Sequence, residues 1–224
     1  MNRVMQSCLL LAGVMALTGI GEAQDASAVL TAVTKALGAD KVGTLHYTGS
    51  GSSYVVTQDR PSGGAWPHRV MKSYTRDLNL KTSTSRTQVV RNNGTPTGEE
   101  TLNHVADANS PWSLQYEFWI TPYGFLKGAA ANHATVEAKT VGGSLFKVVT
   151  FTLPGNHKVA GYINDMNTIE RVETWIGDKG DTIVEAQYRD YKEFNGVQFP
   201  MMVTEKQAGE LSLILIVKDV QVES

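Results

Sequence analysis

The chain has 224 residues, 42% of them hydrophobic, and a formal net charge of −2 at pH 7. This length is sufficient for one sizeable hydrophobic core, and a slightly acidic chain lacks the basic face that binding to a phosphate backbone requires. Composition and charge therefore predict a globular protein with no nucleic-acid partner.

The N-terminus has the features of a secretory signal peptide. Arg3 precedes an apolar run over residues 8–20, and the small residues Gly21 and Ala23 provide a cleavage site after Ala23. The apolar run is shorter than the ~20 residues that a transmembrane helix needs, and an uncleaved anchor is the alternative interpretation. We therefore assign residues 1–23 to the signal peptide.

Cleavage at this position would remove the single cysteine, Cys8. The remaining residues 24–224 would form a single β-rich domain that depends on its core alone and has no stable membrane anchor. A lack of disulfides is more typical of a bacterial periplasm than of an animal extracellular space. The sequence therefore predicts a periplasmic or secreted bacterial protein.

The first predicted element of the mature chain is an amphipathic helix over residues 25–37. Gly38 suits the C′ position that ends a helix, and the apolar residues that recur at helical spacing are Val29, Leu30, Val33, Ala36 and Leu37. One apolar face indicates that this helix packs on the rest of the domain.

Several strands are predicted to follow the helix. Residues 44–57 predict either two short strands or one strand with a glycine-marked bulge. Residues 68–80 and 81–91 form a polar pair of strands with mixed faces, which we expect to be solvated or to line a wet cavity. A short strand over residues 100–105 comes next.

An aromatic-rich segment precedes the next predicted helix. Thr121 and Pro122 are typical of a helix start, with threonine as the N-cap and proline at the first helical position. We predict a helix over residues 122–131 that presents Tyr123, Leu126 and Ala130 on one side. Two strands are then expected, over residues 134–140 and 145–153.

The C-terminal part of the chain predicts an antiparallel meander. Turns rich in Asn, Asp and Gly separate its strands, and two strands alternate apolar with polar residues. Residues 211–217 are apolar on both faces and are expected to be covered on both sides, and Pro200 should lie at a bulge or an edge. The predicted strands are residues 157–163, 168–176, 181–191, 196–206 and 210–222.

These elements predict a mainly β, α+β fold. One large, curved antiparallel sheet with two or three helices packed on one face is the simplest architecture that buries the apolar faces.

The sequence contains no recognisable catalytic or metal-binding pattern. The five histidines are not paired at short spacing, no H-x-H or H-E-x-x-H motif occurs, and no G-x-S-x-G nucleophile elbow is present. We therefore predict no catalytic residue, no metal ligand and no cofactor.

The aromatic residues are the remaining candidates for a site. They could line a concave apolar cavity of the kind that binds small molecules, or they could form the core between helix and sheet, which is the more common role of large apolar side chains. The candidate ligand-binding residues are Trp112, Trp119, Tyr123, Phe125, Trp175, Tyr188, Phe199 and Met201.

Two stretches resemble a known family of bacterial exported proteins. V-A-G-Y-I-N-D-x-N-x-I-E-R-V-E-T-W-I-G-D at residues 159–178 and V-E-A-Q-Y-R-D-Y-K-x-F-N-G-V-Q-F-P at 184–200 resemble the region that precedes the hydrolase domain in SoxH-like metallo-β-lactamase-fold proteins. Those relatives carry an H-x-H-x-D-H zinc motif that this chain lacks. The resemblance therefore implies an accessory domain without the hydrolase activity.

The closing hairpin carries a second resemblance. D-Y-x-x-F-x-G-V-x-F-P at residues 190–200 is similar to the corresponding segment of LolA/LolB-like lipoprotein-localisation carriers. Members of that group have a half-barrel sheet with helices plugging its concave face, and they bind acyl chains. This resemblance implies a half-barrel with two or three helices on the concave face.

Together these features favour an exported, non-catalytic protein that binds or carries an apolar or acylated ligand. The alternative is an interaction module for a separately encoded metallo-β-lactamase-fold hydrolase, which would be its protein partner. A small hydrolase is a third possibility, for which the sequence offers no set of catalytic residues.

Overall fold

The structure is a computed structural model, and it describes residues 26–56, 66–177 and 181–224. The predicted signal peptide, residues 1–23, lies outside the described residues. Three α-helices are described, and a short 3-10 helix (Ala39–Lys41) follows the first: α1 (Ala26–Leu37), α2 (Trp112–Trp119) and α3 (Pro122–Ala131). The strands are β1 (Thr44–Tyr54), β2 (His68–Asn79), β3 (Thr84–Asn92), β4 (Glu99–Ala106), β5 (Thr135–Val141), β6 (Ser144–Leu153), β7 (His157–Ile163), β8 (Ile169–Ile176), β9 (Thr182–Phe194), β10 (Val197–Gln207) and β11 (Glu210–Glu223).

The eleven strands form one antiparallel sheet that does not close on itself. Their order is β4-β3-β2-β1-β11-β10-β9-β8-β7-β6-β5, so β4 and β5 are its two edges. Strands β5 to β11 form a continuous meander, and β1 continues the sheet by pairing with β11. The predicted fold class, a curved sheet or half-barrel with helices, is confirmed.

The helices lie over one face of this sheet because of the chain connections. The polypeptide leaves the sheet at the edge strand β4, passes through α2 and α3, and re-enters at the opposite edge strand β5. Helix α2 contacts β3, β4 and β8, so it bridges the two halves of the sheet, while α3 contacts β6 and β8 and α1 packs on α3 and β10. This crossing encloses the hydrophobic core between the helices and the concave face.

Helix α1 is confirmed by its burial pattern. Val29, Val33 and Leu37 are buried, and Gly38 follows in the left-handed conformation with φ of 62°. A left-handed residue after the last helical turn is the usual place for glycine.

The start of helix α3 was predicted correctly from Thr121 and Pro122. The Thr121 side-chain oxygen accepts a hydrogen bond from the Gly124 amide at 3.1 Å and donates one to the Phe118 carbonyl at 2.7 Å. The predicted face is wrong in one detail, because Tyr123 and Leu126 are buried whereas Ala130 is exposed. Most of α3 is buried, so it plugs the half-barrel instead of lying on its surface.

Substitution of Thr121 by alanine tests this junction. The N-cap hydrogen bond and the bond to Phe118 would both be lost, and a lost N-cap typically costs about 1 kcal/mol of stability. We expect a decrease of about 1 kcal/mol or slightly more in the free energy of unfolding, measured by urea denaturation. Thr121→Ser keeps the oxygen and should retain most of the stability; an equal loss in both variants would contradict the capping role.

The β2–β3 hairpin is not solvated on its inner face, and the alternative prediction, that it lines a cavity, is met by β2 alone. Its inner face is buried, with Tyr74, Arg76 and Leu78 of β2 opposite Ser85 and other residues of β3. A change of register between Met71 and Ser73 turns Met71 to the same buried face. The mixed composition therefore reflects an exposed outer face together with polar residues held inside the fold.

Strand β11 was expected to be covered on both faces, and this prediction is wrong. Leu215 and Val217 are buried against the core, but Ile216, which points to the other face, is 45% exposed. All three α-helices lie on the concave face, so no described helix covers this side of the strand. Pro200 is placed as predicted, because the pairing of β10 with β11 begins only at Met202.

The glycine-marked bulge is confirmed as well, and β1 is a single strand. Its register with β11 shifts between Thr48 and Gly49, and its register with β2 shifts between Gly49 and Gly51. In the part of the chain that the structure describes, no helix combines the length and the apolarity that crossing a membrane requires.

Candidate functional site

A small enclosed cavity lies between the concave face of the sheet and the α2–α3 junction. Its volume is about 20 Å³, which is enough for one or two water molecules. The apolar part of its lining is Leu78, Ile120, Phe199, Val203, Leu213 and Leu215. A larger groove of about 780 Å³ lies between α1 and the end of α3, but it is open to solvent, whereas sites for small molecules usually bury most of the ligand.

Four of the predicted ligand-binding residues are buried in the core. Tyr123, Tyr188 and Phe199 line the cavity, and Phe125 is fully buried against β6 and β7. The ring of Phe125 lies over Gly161, where a Cβ atom would be only 2.3 Å from the ring. These residues therefore form the core of the half-barrel, and a role in ligand binding stays a prediction.

Two tyrosines of this group also attach the helical segment to the sheet. The Tyr123 hydroxyl donates to the Gln198 carbonyl at 2.5 Å, and the Tyr188 hydroxyl donates to the Ile120 carbonyl at 2.5 Å. Burial raises the pKa of Tyr123 and of Tyr188. Both phenols therefore stay neutral and remain hydrogen-bond donors.

The other four predicted residues do not line the cavity. Trp112, Trp119 and Met201 are partly buried and pack against the core. Trp175 lies on the opposite face of the sheet, where it packs with a separate cluster containing Val148 and Tyr162. The structure therefore does not bring Trp175 together with the other seven.

Trp112 connects helix α2 to strands β7 and β8. Its indole nitrogen donates to the Trp175 carbonyl at 2.9 Å, and its ring stacks on His157 with centroids 4.1 Å apart. Trp112 therefore contacts the backbone of Trp175, although the side chains of the two residues lie on different faces of the sheet.

A charged group that the sequence analysis missed lies inside the fold. The Arg76 side chain is 5% exposed and donates from Nη2 to Glu117 Oε2 at 3.0 Å, from Nε to the Ser85 hydroxyl at 3.0 Å and from Nη1 to the Tyr74 hydroxyl at 3.2 Å. Glu117 belongs to α2 and Arg76 to β2. The ion pair therefore links helix α2 directly to the sheet.

A second carboxylate faces the same group. Glu205 of β10 is partly buried, lines the cavity together with Arg76, and makes no hydrogen bond or ion pair with any residue that the structure describes. Burial first, and repulsion from Glu117 second, raise the pKa of Glu205 to about 7, against the opposing effect of Arg76. This carboxyl group changes its charge near neutral pH.

Strand parity is the signal that could have identified Arg76 and Glu205. Arg76 occupies an alternate position between Tyr74 and Leu78, and Glu205 continues the inward series of Phe199 and Val203. A charged residue in an otherwise apolar register is expected to point into the core. Glu117 had no such signal, because helix α2 itself was not predicted.

Metal binding has no support in the described residues. In residues 26–56, 66–177 and 181–224, no three His, Cys, Asp or Glu side chains are grouped so that they could hold a metal ion.

Comparisons with known proteins identify the type of fold. No family model and no curated protein matches the sequence. Among solved structures, the chain is similar to one from Vibrio parahaemolyticus named an outer membrane lipoprotein-sorting protein domain, with a TM-score of 0.53 and 11% identity over 89% of this chain and 94% of that one. It is also similar to a LolA superfamily protein from Nitrosomonas europaea, with a TM-score of 0.51 and 10% identity over 89% and 94%.

These similarities concern the fold. At this level of identity a shared architecture does not carry function with it. The predicted fold-level resemblance to lipoprotein-localisation half-barrels is confirmed, while the resemblance to exported metallo-β-lactamase-fold proteins stays a prediction.

Proposed function

We propose that this protein is an exported, non-catalytic carrier that binds an apolar or acylated ligand between the concave face of its sheet and helices α2 and α3. The observation that supports this most directly is the enclosed cavity at this place, whose lining is mostly apolar and aromatic. The proposal includes the predicted signal peptide and a periplasmic location.

The cavity as it stands is too small for a hydrocarbon chain, so binding requires helices α2 and α3 to move away from the sheet. A few polar contacts hold these helices on the sheet: the Arg76–Glu117 ion pair, the two tyrosine hydrogen bonds and the Trp112 indole hydrogen bond. Separating α3 from the sheet would expose apolar surface, and an apolar ligand could replace the lost contacts. The closed form is then the ligand-free state.

Extraction of bound lipid and binding of the neutral fluorophore N-phenyl-1-naphthylamine test the proposal. The protein, purified without detergent, is extracted with organic solvent and the extract is examined by mass spectrometry, while the fluorescent probe is titrated into delipidated protein. We expect lipid in the extract or saturable probe binding. An empty extract together with no probe binding would contradict the proposal.

A matched pair of variants on β11 locates the binding place. Leu213 lines the cavity, whereas Ile216 on the same strand is 45% exposed on the opposite face. Leu213→Trp should fill the cavity and weaken probe binding at least about tenfold, because overpacking leaves little room for a guest. Ile216→Trp should bind normally; equal effects of both variants would place the ligand elsewhere.

The alternative role, an interaction module for a separate hydrolase, stays a prediction. The outer-face cluster of Phe146, Tyr162 and Trp175, with Met166 70% exposed in the groove that Phe146 and Tyr162 line, is an apolar surface that could contact such a partner. Co-purification from a periplasmic extract, compared with a Met166→Ser variant, would test it.

A further inference from the structure

The charged cluster of Arg76, Glu117 and Glu205 carries an inference about the ligand, which rests on the proposed function. A carrier of plain hydrocarbon has no use for charged residues inside its cavity, because burying a charge is costly unless it is paired. Arg76 is paired with Glu117, and that pair also joins α2 to β2. Glu205 has no comparable structural partner among the described residues.

The cluster lacks a second positive charge. One guanidinium faces two carboxylates, so the cluster has a net charge of −1 when Glu205 is ionised. The other ionisable groups that interact with Glu205 are phenols, which stay neutral because burial raises the pKa of each: Tyr47 on β1, Tyr74 on β2, Tyr116 on α2 and Tyr188 on β9. One cation at Glu205 would balance the cluster.

The position of Glu205 fits the head group of an amphiphile. Tyr47, Tyr188 and Phe199 are at most 5% exposed, whereas Glu205 retains contact with solvent. The lining therefore runs from an apolar interior to an acidic group at its wetter side. A hydrocarbon chain would lie in the interior and its polar end would lie beside Glu205.

We propose that Glu205 is the head-group site of this carrier and that it selects apolar ligands bearing a primary ammonium group. An ammonium ion would form a charge-assisted hydrogen bond with the carboxylate, which is stronger than a bond between neutral groups. A fatty carboxylate would instead be repelled by Glu205 and Glu117. The ligand class is thus an amine-bearing amphiphile and not a free fatty acid.

Three probes of equal chain length test this selectivity: dodecylamine, dodecanol and dodecanoate. Each is titrated, below its micelle concentration, against protein loaded with the neutral fluorophore N-phenyl-1-naphthylamine. At pH 8 we expect dodecylamine to bind about tenfold more tightly than dodecanol, because a charge-assisted hydrogen bond is roughly twice as strong as a neutral one, and dodecanoate to bind more weakly than dodecanol. Equal binding of amine and alcohol, or a preference for dodecanoate, would overturn the proposal.

The pH dependence gives a second readout. With a Glu205 pKa of about 7, the ionised fraction falls from roughly nine tenths at pH 8 to one tenth at pH 6, while the alkyl ammonium, with a pKa of about 10, stays charged. The affinity for dodecylamine should therefore fall about fivefold over this range, to roughly twice that for dodecanol, and that for dodecanol should not change. An amine affinity that is independent of pH would contradict the role of Glu205.

Glu205→Gln is the decisive variant. It keeps the shape of the side chain but removes its charge, so the preference for the amine and its pH dependence should both disappear while dodecanol binding stays. The matched control is Glu193→Gln, at an exposed position on β9, which should retain both. Persistence of the amine preference in Glu205→Gln would overturn the proposal, whereas failure of all three probes to bind the wild-type protein would reject the proposed function as well.

Discussion

Replacement of Arg76 by methionine is expected to lower the free energy of unfolding by about 3–5 kcal/mol, as removal of one partner from a buried ion pair typically does. Methionine keeps a long, unbranched side chain but has no guanidinium group, so Glu117, 28% exposed, is left without its counter-ion. The hydroxyls of Ser85 and Tyr74 also lose their donor, and buried polar groups without a partner are costly. The change is measured by urea or guanidinium denaturation at constant pH.

Two further variants separate the loss of pairing from the loss of charge. Arg86→Met removes a positive charge from an exposed position on the neighbouring strand β3 and should cost less than about 0.5 kcal/mol. Arg76→Met combined with Glu117→Met removes both partners and should recover a large part of the loss, because an apolar pair can replace a buried ion pair at little cost. No recovery in the double variant would show that Arg76 acts through packing alone.

The meander was predictable because its determinants are local. Each turn between its strands contains residues that adopt positive φ, for example Asn167 at 58°, and Asn195 with Gly196 at 53° and 77°. Asn and Gly tolerate this conformation far better than other residues do. The strand ends therefore follow from the sequence with errors of only a few residues.

The pairing of β1 with β11 was beyond such reasoning. Leu45 and Val222 are neighbours in the sheet although most of the chain separates them. No local preference specifies which strand lies beside β1, because the exposed edge of any strand offers the same hydrogen-bonding groups. The same holds for Glu117 and Glu205, which meet Arg76 only after three elements distant in sequence have packed together.

The choice of candidate residues by aromatic character grouped Trp175 with residues on the other face of the sheet. Its immediate neighbour Thr174 is fully buried and bonded to the Lys158 carbonyl at 2.7 Å, so strand alternation puts Trp175 on the opposite face. Lys158 lies above its ring at 5.3 Å. For this sheet, strand parity is a better guide to the interior than aromatic character, since it excludes Trp175 and includes Arg76.

Replacement of Phe199 by alanine is expected to have opposite effects on stability and on ligand binding. Phe199 is 3% exposed, lines the cavity and contacts the ring of Tyr47, with centroids 4.9 Å apart. Its truncation should lower the free energy of unfolding by about 3–5 kcal/mol through lost burial and an enlarged cavity. An enlarged apolar cavity can remain dry and bind apolar guests, so dodecanol should bind more tightly than to the wild type.

Denaturation with and without dodecanol measures both effects in one experiment. The stabilisation by ligand depends on the ratio of its concentration to the dissociation constant, so dodecanol should raise the unfolding midpoint more for Phe199→Ala than for the wild type. Phe199→Leu, with a smaller cavity, should show the same trend if the alanine variant is too unstable to purify. Phe146→Ala, which removes a partly buried ring from the outer-face cluster, should lose stability without gaining affinity. A site between the sheet and its helices gains room only from the loss of the Phe199 ring. A gain of affinity in Phe146→Ala, or no gain in either Phe199 variant, would therefore mean that apolar ligands bind outside the half-barrel.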